Sequence, residues 1–352
     1  MALQGHFGWG LVAAVWFGVP LGAPVAHAET DCEWLQLGNT HYLRADCQTD
    51  ETLLVPDGTT LDGRGHRITA VDPPGGAFGG AVVRNEGASA HVRKLVIDAG
   101  NLGQVCHPAE PEDTRLRAIL LQDADGSVTE TQILAVNQGA SGCQEGSAIE
   151  VRATQRRVQV LISGNRIQHF QKTGIVLIGD IDAGIYLNRV EGEGPVGYIA
   201  QNGIQLRGDV SGSVKLNHVT GVSYTGAEAS ATGVLLIDVV DPVEIALNKI
   251  EDTGVGIHLS GSSEATVTGN SVKNSTYDGI AIDGRSMPAQ NNQIIGNFIA
   301  HSGSVGIDLF GQGARQNVVK LNSIVDSGVA HVQEVLDAGD NLVRWNGSVH
   351  ER

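Results

Sequence analysis

Three residues from successive repeats carry the side chains best suited to acid–base chemistry: His258, Asp283 and Asp308. His258 and Asp308 stand two residues beyond a recurring glycine, Gly256 or Gly306, and Asp283 stands four beyond Gly279. Even offsets share a face on an extended strand, so the three point the same way if these segments are strands. A carboxylate beside an imidazole can orient it, and two carboxylates in unlike surroundings can divide the work of general acid and general base. Gln205 and Arg207 hold the same offsets after Gly203 and would bind substrate beside that group, with Tyr224 and Arg285 reaching in from loops. The plain alternative is an exposed strand face that needs polar residues somewhere, since a position on a fold does not specify function.

An acidic line through Asp123, Asp125, Asp180, Asp182, Asp209, Asp238 and Asp241 offers oxygen ligands that would suit calcium. Turns also select aspartate for backbone reasons. Neither EF-hand spacing nor a glycine-aspartate nonapeptide is present, so no metal ligand and no certain cofactor is assigned. The four cysteines, Cys32, Cys47, Cys106 and Cys143, make an even set without a CxxC pair. That pattern points to disulfides in an oxidising compartment rather than to zinc. Three pairings are open, of which Cys32–Cys47 with Cys106–Cys143 is the most local. Thirty-nine acidic against 23 basic residues give a formal charge of −16. This excludes nucleic acid as a partner and would repel an acidic polysaccharide unless calcium bridged the carboxylates. A neutral or cation-assisted ligand fits the overall charge better.

The elements that must position these residues show themselves by repetition. An asparagine recurs at the centre of Gly-Asn-Arg-Ile (164–167), Leu-Asn-Arg-Val (187–190), Leu-Asn-His-Val (216–219) and Leu-Asn-Lys-Ile (247–250), then of Gly-Asn-Ser-Val (269–272), Gly-Asn-Phe-Ile (296–299) and Leu-Asn-Ser-Ile (321–324). With Asn346 the series is Asn165, Asn188, Asn217, Asn248, Asn270, Asn297, Asn322 and Asn346, and its mean step of about 26 residues lies in the solenoid range. A glycine triplet precedes most of these, as in Thr173-Gly174-Ile175, Asn202-Gly203-Ile204, Thr232-Gly233-Val234 and Val255-Gly256-Ile257, and each begins a short alternating strand. One period therefore reads strand, turn, strand, asparagine turn, strand, loop, with no helical periodicity between. Forty-seven glycines and 4% aromatic residues agree with many short strands. Such a coil has no apolar partner of its own and becomes stable by stacking on its neighbours, strand on parallel strand. Asparagine would repeat because it tolerates the left-handed backbone of a sharp bend, while its inward amide bonds to the next rung.

Over roughly residues 50 to 348 this pattern resembles the parallel β-helix repeat family, and is similar to pectin-lyase-like proteins and to the periplasmic maturation proteins of nitrous-oxide reductase. The segment Thr60-Leu61-Asp62-Gly63-Arg64-Gly65-His66-Arg67-Ile68 resembles the family's first coil. Val92 to Ile97 and Ala118 to Ile133 supply less regular coils in which Lys94 and Thr131 replace asparagine. The resemblance implies an all-β fold, a single-stranded right-handed parallel β-helix (solenoid) of about ten coils with an internal asparagine ladder. For lyase-type members it implies a Lys or Arg base on the same sheet, where Arg207 is the best exposed cation. Tyr277-Asp278-Gly279 departs from the Tyr-Gly-x-Asp-Pro-His motif of the uronan epimerases.

Residues 1–28 carry no Asp, Glu, Lys or Arg, run through an apolar stretch from Gly8 to Val19, and end at Ala26-His27-Ala28, the pattern of a signal peptide and its cleavage site. Pro20 and Pro24 break the stretch, which is too short to span a membrane. Residues 29–50 would form an N-terminal cap, and 51–352 the β-helix domain, with a C-terminal cap from Gly328 that blocks strand addition. Longer loops at 190–202, 220–232 and 283–292 would wall a groove and bring Tyr198, Tyr224, Glu228 and Arg285 towards the sheet. The expected protein is secreted or periplasmic and acts on a polysaccharide as hydrolase or lyase. The alternatives are a non-catalytic extracellular or envelope scaffold that binds a cell-surface glycan or a protein, and, by fold analogy, a periplasmic metal-centre maturation factor. Its oligomeric state is open.

Overall fold

The computed structural model describes residues 30–110, 113–226, 230–335, 338–344 and 346–349. The signal peptide expected at 1–28 lies outside them. The described residues are strands and turns without a helix. A front face stacks Leu53–Val55, Ala81–Asn85, Arg117–Gln122 and the first halves of Ser147–Ser163 and Thr173–Tyr186. It continues through Asn202–Arg207, Thr232–Ile237, Val255–Ser260, Ile280–Asp283, Val305–Phe310 and Ala330–Val335, always in parallel. A second face runs in the same order from Thr59–Asp62 to Leu342–Arg344, and the long strands at 147–163 and 173–186 bend from the front into it. The third face is a separate sheet of twelve strands from Cys47–Thr49 to Gly347–Val349. The chain is a right-handed parallel β-helix.

At one end Trp34–Leu37 folds back antiparallel on Thr40–Leu43, which pairs in parallel with Thr59–Asp62, so residues 30–50 both cover the stack and begin it. At the other end the strands beyond Gly328 continue all three faces. The disulfides are Cys32–Cys47 and Cys106–Cys143, the most local pairing.

Inside, Ile149, Ile175, Ile204, Val234, Ile257, Ile280 and Ile307 form one column of fully buried side chains. Each contributes about 1.5–3 kcal/mol of burial, so the apolar columns dominate cohesion. The glycine that precedes each of these except Ile149, which follows Ala148, is selected by space: a Cβ on Gly256 would lie 2.3 Å from Val272 Cγ1 and 2.4 Å from the Gly279 carbonyl oxygen.

The asparagines are buried, and their amides run along the stack. Asn217 donates from Nδ2 to Asn248 Oδ1 at 3.0 Å and to the Ile185 carbonyl at 2.9 Å, and its backbone N–H donates to the same Oδ1 at 2.9 Å. The same bonds link Asn165 through to Asn346. The left-handed backbone, however, belongs to the preceding residue: Leu187, Leu216, Leu247 and Leu321 have φ of 57, 57, 56 and 58°. The expectation that asparagine makes the bend is thus corrected, because the bend must come one residue earlier for the amide to point inward. For the same reason Leu95, not Lys94, stands at the asparagine position of its coil, while Lys94 takes the bend with φ of 50°. Thr131 closes the series by donating its N–H to Asn165 Oδ1 at 2.9 Å. A second series, Asn292, Asn317 and Asn341, repeats the arrangement at the corner before the second face, with Nδ2 to Oδ1 distances of 2.9 and 3.0 Å.

Candidate functional site

Parallel pairing lines up the outward positions of the front face in two columns. One runs Glu150, Val176, Gln205, Leu235, His258, Ala281, Asp308, and the other Arg152, Ile178, Arg207, Ile237, Ser260, Asp283, Phe310. His258, Asp283 and Asp308 therefore share a face on three successive rungs, which lie about 4.8 Å apart. They do not share a column: Ala281 separates His258 from Asp308, and Asp283 stands two residues along the strand from Ala281, in the other column. His258 Nε2 comes 3.8 Å from Asp283 Oδ2.

The two carboxyls sit in opposed surroundings. Burial disfavours the charge on Asp283, but His258 and Arg285 overcome that and hold its carboxyl below the usual carboxylate range. Arg285 grips it through Nε to Oδ1 at 3.0 Å, Nη2 to Oδ2 at 2.8 Å and the backbone N–H to Oδ1 at 2.9 Å. The same guanidinium lies 4.7 Å from the centre of the Phe310 ring. Arg285, expected to reach for substrate, is thus engaged with Asp283. Asp308 differs: burial, reinforced by the Asp278 carboxylate, pushes its pKa up to about 6. Its Oδ1 is buried without a hydrogen-bond partner among the described residues. One group is a proton donor in mildly acid solution while its neighbour stays ionised.

Upstream lies a groove of about 220 Å³ that includes Glu150, Arg152, Lys172, Gln205 and Arg207. Its floor is a charge network that the sequence did not reveal. Arg117, 2% exposed, pairs with Glu150 at 2.7 Å and with Asp113 at 2.6 Å, and Arg152 joins both acids. Burial opposes ionisation of Asp113, but Arg115 and Arg117 hold its carboxyl well below the usual range. Lys172 donates to the Ala200 carbonyl at 2.9 Å, and burial lowers its pKa. Gln205 accepts from Asn202 Nδ2 at 2.8 Å, whereas Arg207 is exposed and makes no ion pair among the described residues. The alternation of Arg115 and Arg117 along an incipient strand is the one local signal for this cluster. The rung of Leu235 and Ile237 separates the groove from His258.

The loops behave unevenly. Residues 194–196 and 222–224 pair as an extension of the third face. Tyr224 packs against the core, with Gly226 under its ring, and does not line the groove as expected. Tyr198 lies at the corner beside Gly142, and Glu228 falls outside the described residues. In the acidic line, Asp123 accepts the backbone N–H groups of Thr154 and Gln155, Asp125 pairs with Arg156, and Asp180 pairs with Arg157 at 3.1 Å. Among the described residues none of that line belongs to a group of three close metal-ligand atoms.

Comparison with known proteins adds the fold. Residues 232–347 match the family model described as "Right handed beta helix region". No curated protein matches the chain. Among solved structures, the periplasmic alginate epimerase AlgG superposes with a TM-score of 0.56 at 14% identity, over 91% of this chain and 80% of its own. The Azotobacter vinelandii mannuronan C-5 epimerase AlgE6 A-module gives 0.47 at 16% identity, over 89% of each chain. The Dettilon tailspike protein gives 0.45 at 15% identity, over 83% of this chain, which spans 61% of the tailspike. At 14% identity the AlgG likeness establishes the β-helix and nothing finer.

Proposed function

We propose that this β-helix is an exported enzyme that hydrolyses a glycosidic bond of a polysaccharide laid along its front face. Asp308 is the general acid and Asp283 the ionised carboxylate opposite it. The observation that carries this reading is the opposed displacement of the two groups on adjacent rungs, Asp308 up to about 6 and Asp283 below the usual range. Glycoside hydrolysis uses such a pair, one carboxylic acid to protonate the leaving oxygen and one carboxylate to activate water or meet the developing positive charge. His258 and Arg285 keep Asp283 ionised, while Gln205, Arg207 and Lys172 hold the chain upstream. The two disulfides support an oxidising compartment.

The test is release of reducing ends from a panel of neutral and acidic polysaccharides near pH 5. Asp308→Asn and Asp283→Asn should each abolish it. Activity that survives both changes, or no release from any member of the panel, sinks the reading. An unsaturated product absorbing in the ultraviolet would mean elimination, and so a lyase. A second reading, binding without turnover, is favoured by one feature: Arg285 already occupies both oxygens of Asp283. It predicts glycan retention that Arg207→Ala weakens, with no product formed.

A further inference from the structure

We propose that reduction of the Cys106–Cys143 disulfide creates a mononuclear zinc site completed by Glu145 and His107. The two sulfurs and a Glu145 carboxylate oxygen already lie within 4.8 Å of one another. His107 Nδ1 is 2.9 Å from Glu145 Oε2, and its ring packs on Gly79, where a Cβ would meet the ring at 3.1 Å. A side chain at 79 would push the imidazole away, so the glycine helps hold Nδ1 against Glu145. Thiolate, imidazole and carboxylate are each zinc ligands, and two, one and one of them make a tetrahedral four, with bonds of about 2.0–2.3 Å and hence ligand atoms about 3.3–3.8 Å apart. Assembling the site needs the imidazole and carboxylate to part by less than about 1 Å, the sulfurs to part by about 2 Å once reduced, and the His107 ring, which lies outside the close group of Cys106, Cys143 and Glu145, to turn towards them.

The surroundings suit a bound cation. The Glu145 side chain is 1% exposed and that of His107 10%. Backbone N–H groups of His107 and Leu116 donate to Glu145 at 2.7 and 2.5 Å and fix the carboxylate before any metal arrives. Gln138, itself buried, places Nε2 3.4 Å from His107 Nδ1, while its Oε1 has no partner among the described residues. The other disulfide is an internal control, since only Asp31 stands beside Cys32 and Cys47.

Reduction takes two electrons and two protons from a dithiol, which is oxidised to its own disulfide. Zinc then displaces both thiol protons, and the imidazole carries its proton on Nε2 so that Nδ1 can ligate. The ion would replace the disulfide as the staple that holds His107 and Leu116 against Glu145, and with them Arg115 and Arg117 of the groove.

The full-length chain, reduced with a phosphine that becomes its oxide, is titrated with Zn²⁺ or Co²⁺ under nitrogen. One metal ion per chain is expected, resistant to a chromophoric chelator, with a thiolate-to-cobalt charge-transfer band that the oxidised chain lacks. The paired change Cys106→Ser and Cys143→Ser should abolish the band, Cys32→Ser with Cys47→Ser should leave it, and His107→Ala should weaken binding about tenfold or more. Four results overturn the proposal. The band could persist without Cys106 and Cys143, or vanish without Cys32 and Cys47. The reduced chain could take up no metal, or lose its β-sheet circular dichroism before metal binds.

Discussion

Replacing Asp308 with asparagine should stabilise the protein at neutral pH while leaving it unchanged at pH 4. In the folded chain the Asp308 carboxyl has its pKa at about 6, above the ordinary value of 3.8. Between those two values the folded state holds a proton that the unfolded state has released, so this group's contribution to stability is full below about pH 4 and is lost as pH rises through 6. The full displacement corresponds to about 3 kcal/mol. Because the carboxyl is only half buried, solvent screening reduces this to about 1–2 kcal/mol. Asparagine has nearly the same shape and no charge at any of these pH values. Urea melts of both proteins from pH 4 to 7.5 should diverge across that window by about 1–2 kcal/mol in favour of the variant. The same carboxyl should set the alkaline limb of the activity profile near pH 6. A stability difference that stays flat with pH, or an asparagine variant less stable at pH 7.5, would refute the raised acid and with it the assignment of Asp308 as proton donor.

Three further outcomes follow from the geometry. Asn217→Ala removes the acceptor of two Asn188 donors and the donor to Ile185 and Asn248; with buried orphans at about 1–3 kcal/mol each, a thermal melt should show a loss of about 3–5 kcal/mol. Leu216→Gly should cost less than about 0.5 kcal/mol in a urea melt, because relief of the left-handed backbone offsets the extra freedom of the unfolded chain and the side chain is 51% exposed; a loss of about 2–5 kcal/mol, typical of a core leucine, would contradict that account. Arg285→Ala should raise the Asp283 pKa towards ordinary carboxylate values, readable by carbon NMR titration, and an unmoved titration would show that His258 alone holds the charge.

The stack is legible in the sequence because geometry demands one residue type at each inward landmark. Gly256 is required by the lack of room for a Cβ, and Asn217 by a fixed set of amide bonds. Outward register then follows from alternation, which is why the repeat alone suffices to place His258, Asp283 and Asp308 on one face. Leucine at 216 conceals its left-handed backbone, since nothing in its chemistry announces that conformation. Asp113 and Glu145 escape notice for another reason: Asp113 joins the arginine network from outside the strands, and Glu145 is tied to His107 across a sequence separation of 38. Arg285 is an intermediate case. A cation two residues beyond Asp283 at a turn is a legible ion pair, but only the front-face geometry shows that both carboxylate oxygens are taken.

The formal charge of −16 suggests a neutral glycan, and the groove reverses that inference. Charges separated by more than about 8 Å are largely screened at physiological ionic strength, so a ligand in contact with the front face responds mainly to what lines it. There the acids are already used: Asp113 faces Arg115, Arg117 and Arg152, and Glu150 faces Arg117 and Arg152. Among the described residues Arg207 remains as a cation with no ion-pair partner, and Lys172, at the other end of the groove, donates to a carbonyl oxygen. Remote carboxylates would slow the approach of an acidic chain, an effect on association rate that salt removes. They would not decide affinity once the chain is seated. Under the proposed hydrolytic function, the combination favours a substrate whose anionic substituent lies over Arg207 and whose scissile bond lies near Asp308, four rungs or roughly 19 Å further along the stack.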